Sequence, residues 1–342
     1  MSDPSSVTPS APTLGSLPDA PEAHVDALRQ HIHAVLPRLV AGKRPEGLYA
    51  PVEYVLRGGG KRLRPVLVLL VAEAFGTSPA RALPAALAVE VFHNFTLVHD
   101  DIMDRAEERR GRPTVHVRWD ANTAILTGDL MMGLSYRLLS DLDGVDPRAV
   151  FQAYHPMVEE LCRGQSLDDA FEARDDVTVE AYLDMINGKT GALLAAVLEL
   201  GAIVGHAPDA DRRTLHQAGL DLGRAFQIQD DLLDVVAESD DWGKAIGGDL
   251  VVGKRTFLTL HALEHASGAE YDWFARLLDD GLPPEDVPEA RDRMERLGVF
   301  EAARDAVAQY TAAARNGLSV LPDGPATDAL AWLINRMEHR SH

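Results

Sequence analysis

The chain has 342 residues, of which 46% are hydrophobic, 25% charged and 6% aromatic, with a formal charge of -20. Such an acidic surface excludes nucleic acid and anionic membranes as partners over most of its area, so a polyanionic substrate must be met by local cations or by metal. One cysteine, Cys162, excludes an internal disulfide framework and suits a reducing cytoplasm. The length permits one large domain or two, and abundant Ala and Leu favour helix over sheet. An acidic surface also fits life in high salt, although many ordinary enzymes are acidic. There is no run of about 18 uninterrupted apolar residues, and the start lacks a basic segment followed by an apolar one. The expectation is a cytoplasmic protein without a membrane span.

Residues 1 to 21 (MSDPSSVTPSAPTLGSLPDAP) are rich in Pro and Ser without apolar periodicity, which predicts a disordered tail. From His24 the apolar residues Val25, Leu28, Ile32, Val35, Leu36 and Leu39 recur at three and four, predicting an amphipathic helix that ends near Gly42. The same spacing predicts helices at about 61 to 76, 83 to 105, 120 to 141, 148 to 172, 178 to 205 and 209 to 237. Further helices are expected at 255 to 265, 270 to 280, 286 to 296, 299 to 321 and 326 to 339. Segments 83 to 99 and 190 to 205 are apolar nearly all round, as central helices of a bundle are. No strand alternation is evident. The Gly and Pro clusters that punctuate these elements are too short for interdomain linkers, so 22 to 342 reads as a single all-α domain.

Two segments carry the chemistry. In FHNFTLVHDDIMD an apolar helix ends in Asp100, Asp101 and Asp104, with Asp100 and Asp104 on one face. Three clustered carboxylates repel one another, and a hard divalent cation such as magnesium relieves that repulsion. A solvated acidic helix end explains a single such pentad equally well. FQIQDDLLD, however, repeats the layout at Asp230, Asp231 and Asp234, again after an apolar stretch. Two such ends facing each other would form a cage for several metals, which a polyphosphate ligand would require.

Cations associated with glycine accompany the pentads. GGGKRLRP offers Lys61 and Arg64, RRGRPTVH offers Arg109 and Arg110, NGKTG offers Lys189 and Thr190, and Lys244 and Lys254 follow in GKAIGGD and GKRT. Each alone reads as ordinary surface; together they exceed what one phosphate needs. His93 reads either as a core histidine or as a ligand. Its place two turns before Asp100, on nearly the same face, favours the ligand.

GGGKRLRP, HDDIMD with RRGRPTVH, GKTG, FQIQDDLLD and GDLVVGKRT, in this order and spacing, resemble the trans-type polyprenyl diphosphate synthases. The resemblance covers about Lys61 to Thr256. It implies an all-α bundle of the isoprenoid synthase type around a central cavity, assembled as a homodimer. It implies three magnesium ions on Asp100, Asp104 and Asp230, with Asp234 in support, Asp231 counted in the metal set and Asp101 as a partner behind the ligands. An allylic diphosphate would meet Arg109, Lys189 and Lys254, with Lys244 nearby, and isopentenyl diphosphate would meet Lys61, Arg64, His93 and Arg110. By analogy Thr190 and Gln227 steady a carbocation, while Gln165 belongs to the same polar lining and Asp168 less surely so.

The growing chain would run down between helices, with its floor formed by side chains one and two turns before Asp100. Phe95 and Thr96, five and four positions before Asp100, resemble the geranylgeranyl (C20) type. Phe92, a second ring on that wall, leaves farnesyl diphosphate (C15) as the alternative. Both rings also read as ordinary core packing. A terpene cyclase would share the fold but not need Lys61, Arg64 and Arg110, and a non-catalytic regulatory subunit would carry damaged motifs. A purely structural helical protein would leave the paired pentads unexplained.

Overall fold

The computed structural model describes residues 14, 15, 17–237 and 246–338. The tail expected over 1 to 21 falls mainly outside these residues, and Lys244 lies outside them altogether. Within them the chain is all-α, apart from one two-stranded hairpin. It divides into two compact units. One comprises residues up to Phe151 with Leu200–Asp209 and Leu321–Leu333; the other comprises Gln152–Glu199, Ala210–Val320 and the residues from Ile334 on.

In the first unit the periodicity of α1 (Pro21–Val35) buries Val25, Leu28, Ile32 and Val35 on one face, and a 3-10 turn, Leu36–Leu39, follows. The helix α2 (Glu46–Leu56) was not expected, because Gly47 and an internal Pro51 disguise its apolar positions. The expected helix at 61 begins later, as α3 (Leu63–Ala74), because Arg62 adopts a left-handed conformation (φ 49°) that cannot start a helix. Residues Val66 to Ala72 of α3 are all buried, and so are Ala85 to Phe92 of α4 (Pro79–Met103), which accounts for their near-continuous apolar sequence.

After α4 comes the hairpin β1 (Glu108–Arg109) and β2 (Arg112–Pro113), which corrects the expectation of no strand. Strands of two residues are too short to show alternation. The connecting Arg110 and Gly111 both have positive φ, 54° and 69°, as a tight primed turn requires. The helices α5 (Val115–Arg118) and α6 (Ala121–Ser140) follow, with Asp120 capping α6 through the Thr123 N–H at 2.7 Å.

The helix α7 (Pro147–Phe171) matches its expected span. The single helix expected over 178 to 205 is α8 (Val179–Ile186), a π-turn (Asn187–Gly191) and α9 (Ala192–Val204). This run is long and apolar enough to cross a bilayer, but 78% of its most apolar window is buried inside the protein. Next are α10 (Asp209–Val236), α11 (Gly248–Val251), α12 (Phe257–His265), α13 (Ala269–Asp280), α14 (Val287–Arg296), α15 (Val299–Leu318) and α16 (Pro325–Glu338). In the second unit Tyr182, Ile186, Ile228, Leu232, Phe257, Phe274, Met294 and Phe300 form one core, which fixes α8, α10 and α12 to α15 around the second Asp segment.

Candidate active site

The two units each gather a group of the expected residues. In the first, α4 carries Asp100, Asp101 and Asp104 into its last turn, where the helix presents its carbonyls and has no basic side chain. Negative charge at a helix C-terminus is destabilising unless a cation answers it. Asp101 is answered by protein: it is 5% exposed and its Oδ1 accepts from Arg109 Nε at 2.6 Å. Burial raises the Asp101 carboxyl above its ordinary range, although the Arg109 bond opposes the rise. Asp104 is exposed and Asp100 half-buried, one turn apart along the helix.

The glycine loop before α3 is held from below by Arg62, a residue the sequence reading passed over. Its side chain is fully buried and donates to Glu90 Oε1 at 2.5 Å, to Leu56 O at 3.2 Å and to Gly58 O. Asn94 Nδ2 donates to the same Glu90 oxygen at 3.0 Å. Arg110, on the hairpin turn, donates to Gly59 O, so the hairpin and the glycine loop are stitched together. Lys61 stands exposed at the end of that loop. The signal for Arg62 was a lone Glu and a lone Asn inside the apolar run AVEVFHNF, since a buried carboxylate requires a partner.

Arg64 Nη1 lies 3.2 Å from His93 Nε2. An arginine only donates, so Nε2 accepts and the proton sits on Nδ1. Burial, then the neighbouring Arg64, Arg110, Arg109 and Arg62, hold the His93 pKa well below its ordinary value, so the ring is neutral. Arg64, His93, Arg109 and Arg110 therefore belong to one basic neighbourhood, with the exposed Lys61 three residues before Arg64. Phe92 is fully buried, its ring centroid 5.2 Å from that of Phe95, and the Thr96 hydroxyl donates to His93 O at 2.8 Å.

In the second unit the GKT segment forms the π-turn, a local geometry found often at functional sites. Lys189 Nζ donates to Asp168 Oδ2 at 2.5 Å, and the Thr190 hydroxyl donates to Gln227 Oε1 at 3.2 Å. Gln227 Nε2 donates to Asp231 Oδ1 at 3.2 Å, while Oδ2 of Asp231 accepts from the Tyr182 hydroxyl at 2.5 Å and the Phe257 N–H at 3.2 Å. Asp168, Tyr182, Lys189, Gln227, Asp231 and Lys254 line one pocket. Asp168, which the sequence ranked behind Gln165, lies in it; Gln165 donates instead to Asp169 at 3.1 Å, one turn along α7. Tyr182 was missed because a tyrosine in an amphipathic helix carries no distinguishing spacing.

Asp231 is 3% exposed and pushed up to about 7, chiefly by burial and then by Asp249, against the bonds from Tyr182 and Gln227. Asp234 Oδ2 accepts from the Asp249 N–H at 3.0 Å, tying α10 to α11. Lys254 lies 3.6 Å from Asp249. Burial lowers its pKa, but Asp249, Asp231 and Asp168 outweigh that and the net shift is upward, so it stays charged. Asp230 is half-buried on α10.

Among the described residues no three or more His, Cys, Asp or Glu side chains gather at metal-ligand spacing. Magnesium needs no such cage, since it keeps waters and takes one or two carboxylates with substrate phosphate oxygens. Asp100 and Asp104 supply hard oxygen donors at a helix end without a basic residue, and Asp230 sits near the end of α10, whose last turn also lacks one. The donor chemistry fits a divalent cation of this kind.

The polyprenyl synthetase family profile matches residues 45–294. A geranylfarnesyl diphosphate synthase of Natronomonas pharaonis is 36% identical, covering 95% of this chain and 99% of the relative. Among solved structures, a geranylgeranyl pyrophosphate synthetase from Pyrococcus horikoshii superposes with a TM-score of 0.87 at 35% identity, over 94% of this chain and 98% of that one. A polyprenyl synthase from Caulobacter crescentus, complexed with calcium and isoprenyl diphosphate, superposes with a TM-score of 0.80 at 27% identity, over 95% and 96%. With its motifs in the family's order and the match running over most of its length, the chain belongs to the polyprenyl synthetase family of prenyltransferases.

Proposed function

We propose that the protein condenses isopentenyl diphosphate with an allylic diphosphate, in the presence of magnesium, to give geranylgeranyl diphosphate. The observation that carries this reading is the presence of two distinct basic groups. Arg64 and Arg110 surround a neutral His93 with Lys61 on the adjoining loop, whereas Lys189 and Lys254 belong to the pocket of the second unit. Two diphosphates need two such groups. A cyclase, which takes one, does not.

Asp100, Asp104 and Asp230, supported by Asp234, would hold the magnesium ions. Bound there, the metal would neutralise the allylic diphosphate and so favour its departure. Lys189, Lys254 and Arg109 bind and orient that diphosphate. Lys61, Arg64, His93 and Arg110 hold the isopentenyl diphosphate. The Thr190 hydroxyl donates to Gln227, leaving its own oxygen lone pairs to face positive charge that develops as the allylic C–O bond breaks. Asp101 and Asp231 are committed to Arg109 and to Tyr182, Gln227 and the Phe257 N–H, so they brace the ligand-bearing turns. Attack by the isopentenyl double bond and loss of a proton complete the step, and released pyrophosphate is the base that takes that proton.

The family match runs from 45 to 294 across residues of both units, which supports 22 to 342 as one catalytic domain. Phe95, with Phe92 behind it, is the floor of the chain pocket. The test is incubation of purified protein with dimethylallyl and isopentenyl diphosphates and magnesium. The expected product is C20. Mainly C30 or longer would sink the floor, and no elongation with any allylic primer would sink the synthase.

A further inference from the structure

His99, immediately before the first metal-binding carboxylate, is given no task by the reaction, yet its surroundings are specific. Phe92, Phe95 and His99 fall at i, i+3 and i+7 of α4 and therefore share a face. Their rings form a continuous ladder: Phe92 to Phe95 is 5.2 Å between centroids at 56°, and Phe95 to His99 is 4.9 Å at 70°, edge to face. The far side of the His99 ring rests on α6. Its Nε2 lies 3.3 Å from Ile125 O, and the ring occupies the space where Gly128 has no side chain. A Cβ at Gly128 would overlap the ring edge, closest to Nε2 and then Cδ2, with Cε1 3.0 Å away. Gly128 is fully enclosed on α6 and needs no unusual φ, so close approach is the reason the structure gives for glycine there.

We propose that His99, seated in the notch left by Gly128, is a positioning residue for product length: it clamps the Phe95 ring at the floor of the chain pocket. The proposal rests on Phe95 being that floor. A phenyl ring on a helix is free to turn about χ1 and χ2 unless an edge is packed against it. Phe92 packs one side of Phe95 and His99 the other, and α6 prevents His99 from retreating. The ladder therefore transmits the position of α6 to the end of the growing chain. Two opposite effects follow. His99→Ala releases Phe95 and lets the chain grow further. Gly128→Ala drives the imidazole off α6 and toward Phe95, which shortens the product.

The experiment is the product distribution from dimethylallyl and isopentenyl diphosphates for wild type, His99→Ala, Gly128→Ala, the double variant, His99→Phe and Phe95→Ala, with thermal stability measured alongside. His99→Ala is expected to raise the ratio of longer to shorter product by about fivefold, the size that one edge-to-face ring pair accounts for. Gly128→Ala is expected to shift the ratio the other way, and the double variant to match His99→Ala alone, because without the imidazole the new methyl group has nothing to push. His99→Phe, which keeps a ring edge on Phe95, retains the wild-type distribution. An unchanged distribution in His99→Ala and Gly128→Ala, with Phe95→Ala lengthening the product, overturns the positioning role and leaves the floor intact. If Phe95→Ala changes nothing either, the floor fails and the positioning role falls with it. A loss of stability in His99→Ala without a change in length also overturns the role, because His99 would then be ordinary packing.

Discussion

Asp231 shows how protein donors can take up a carboxylate of the second Asp segment. All three of its mapped hydrogen bonds come from protein donors, and burial holds its carboxyl near 7. An aspartate in the unfolded chain titrates near 3.9, so between about pH 4 and 7 the folded state retains a proton that the unfolded state has lost. This group's contribution to the stability of the metal-free protein therefore falls as pH rises through that window, by up to about 1.4 kcal/mol per pH unit. Denaturant midpoints measured in chelator from pH 4.5 to 7.5 should show that decline, and Asp231→Asn should flatten it. Equal slopes in the two proteins would mean that the carboxyl is not held protonated. The pentads were legible at once because carboxylate spacing is written in the sequence. Asp101 was expected behind the ligands, but that Asp231 turns inward was not, since that depends on Tyr182, forty-nine positions away on another helix. Arg62 was hidden for a similar reason: its partner Glu90 is twenty-eight positions away and buried.

At the scale of elements, the long helices were read within a few residues because their apolar spacing is strong. Apart from α2, three departures fall where backbone geometry, not hydrophobicity, decides: the left-handed Arg62 before α3, the primed turn at Arg110 and Gly111, and the π-turn between α8 and α9. Each of these presents a basic residue of the site. The π-turn depends on close approach, because a Cβ on Gly188 would lie 2.5 Å from Glu160 O and 3.0 Å from Gly164 Cα on α7. Gly188→Ala should thus push the turn off α7 and displace Lys189 and Thr190. Misplacement by about an ångström costs on the order of 10²-fold in rate. Steady-state kinetics should show that loss with a raised KM for the allylic diphosphate and little change in KM for isopentenyl diphosphate. Wild-type kinetics would separate the π-turn from catalysis.

For the whole molecule, a charge of -20 coexists with two basic groups, which is the arrangement expected if anionic substrates are drawn only to the site. Val117 on α5 and Ile125 and Leu126 on α6 are 49%, 44% and 56% exposed, and we propose that a second copy of the chain covers them. Light scattering should give twice the 37.2 kDa chain mass, and a monomer at micromolar concentration would contradict the dimer. In the proposed function Asp100 and Asp230 would hold magnesium, which would favour departure of the allylic diphosphate. That role is tested most directly by labelled isopentenyl diphosphate incorporation, with and without magnesium, in wild type, Asp100→Asn and Asp230→Asn. The expected result is no incorporation in chelator and a loss of about 10²-fold or more in each variant. Incorporation that persists in chelator, or variants that match wild type, would contradict it.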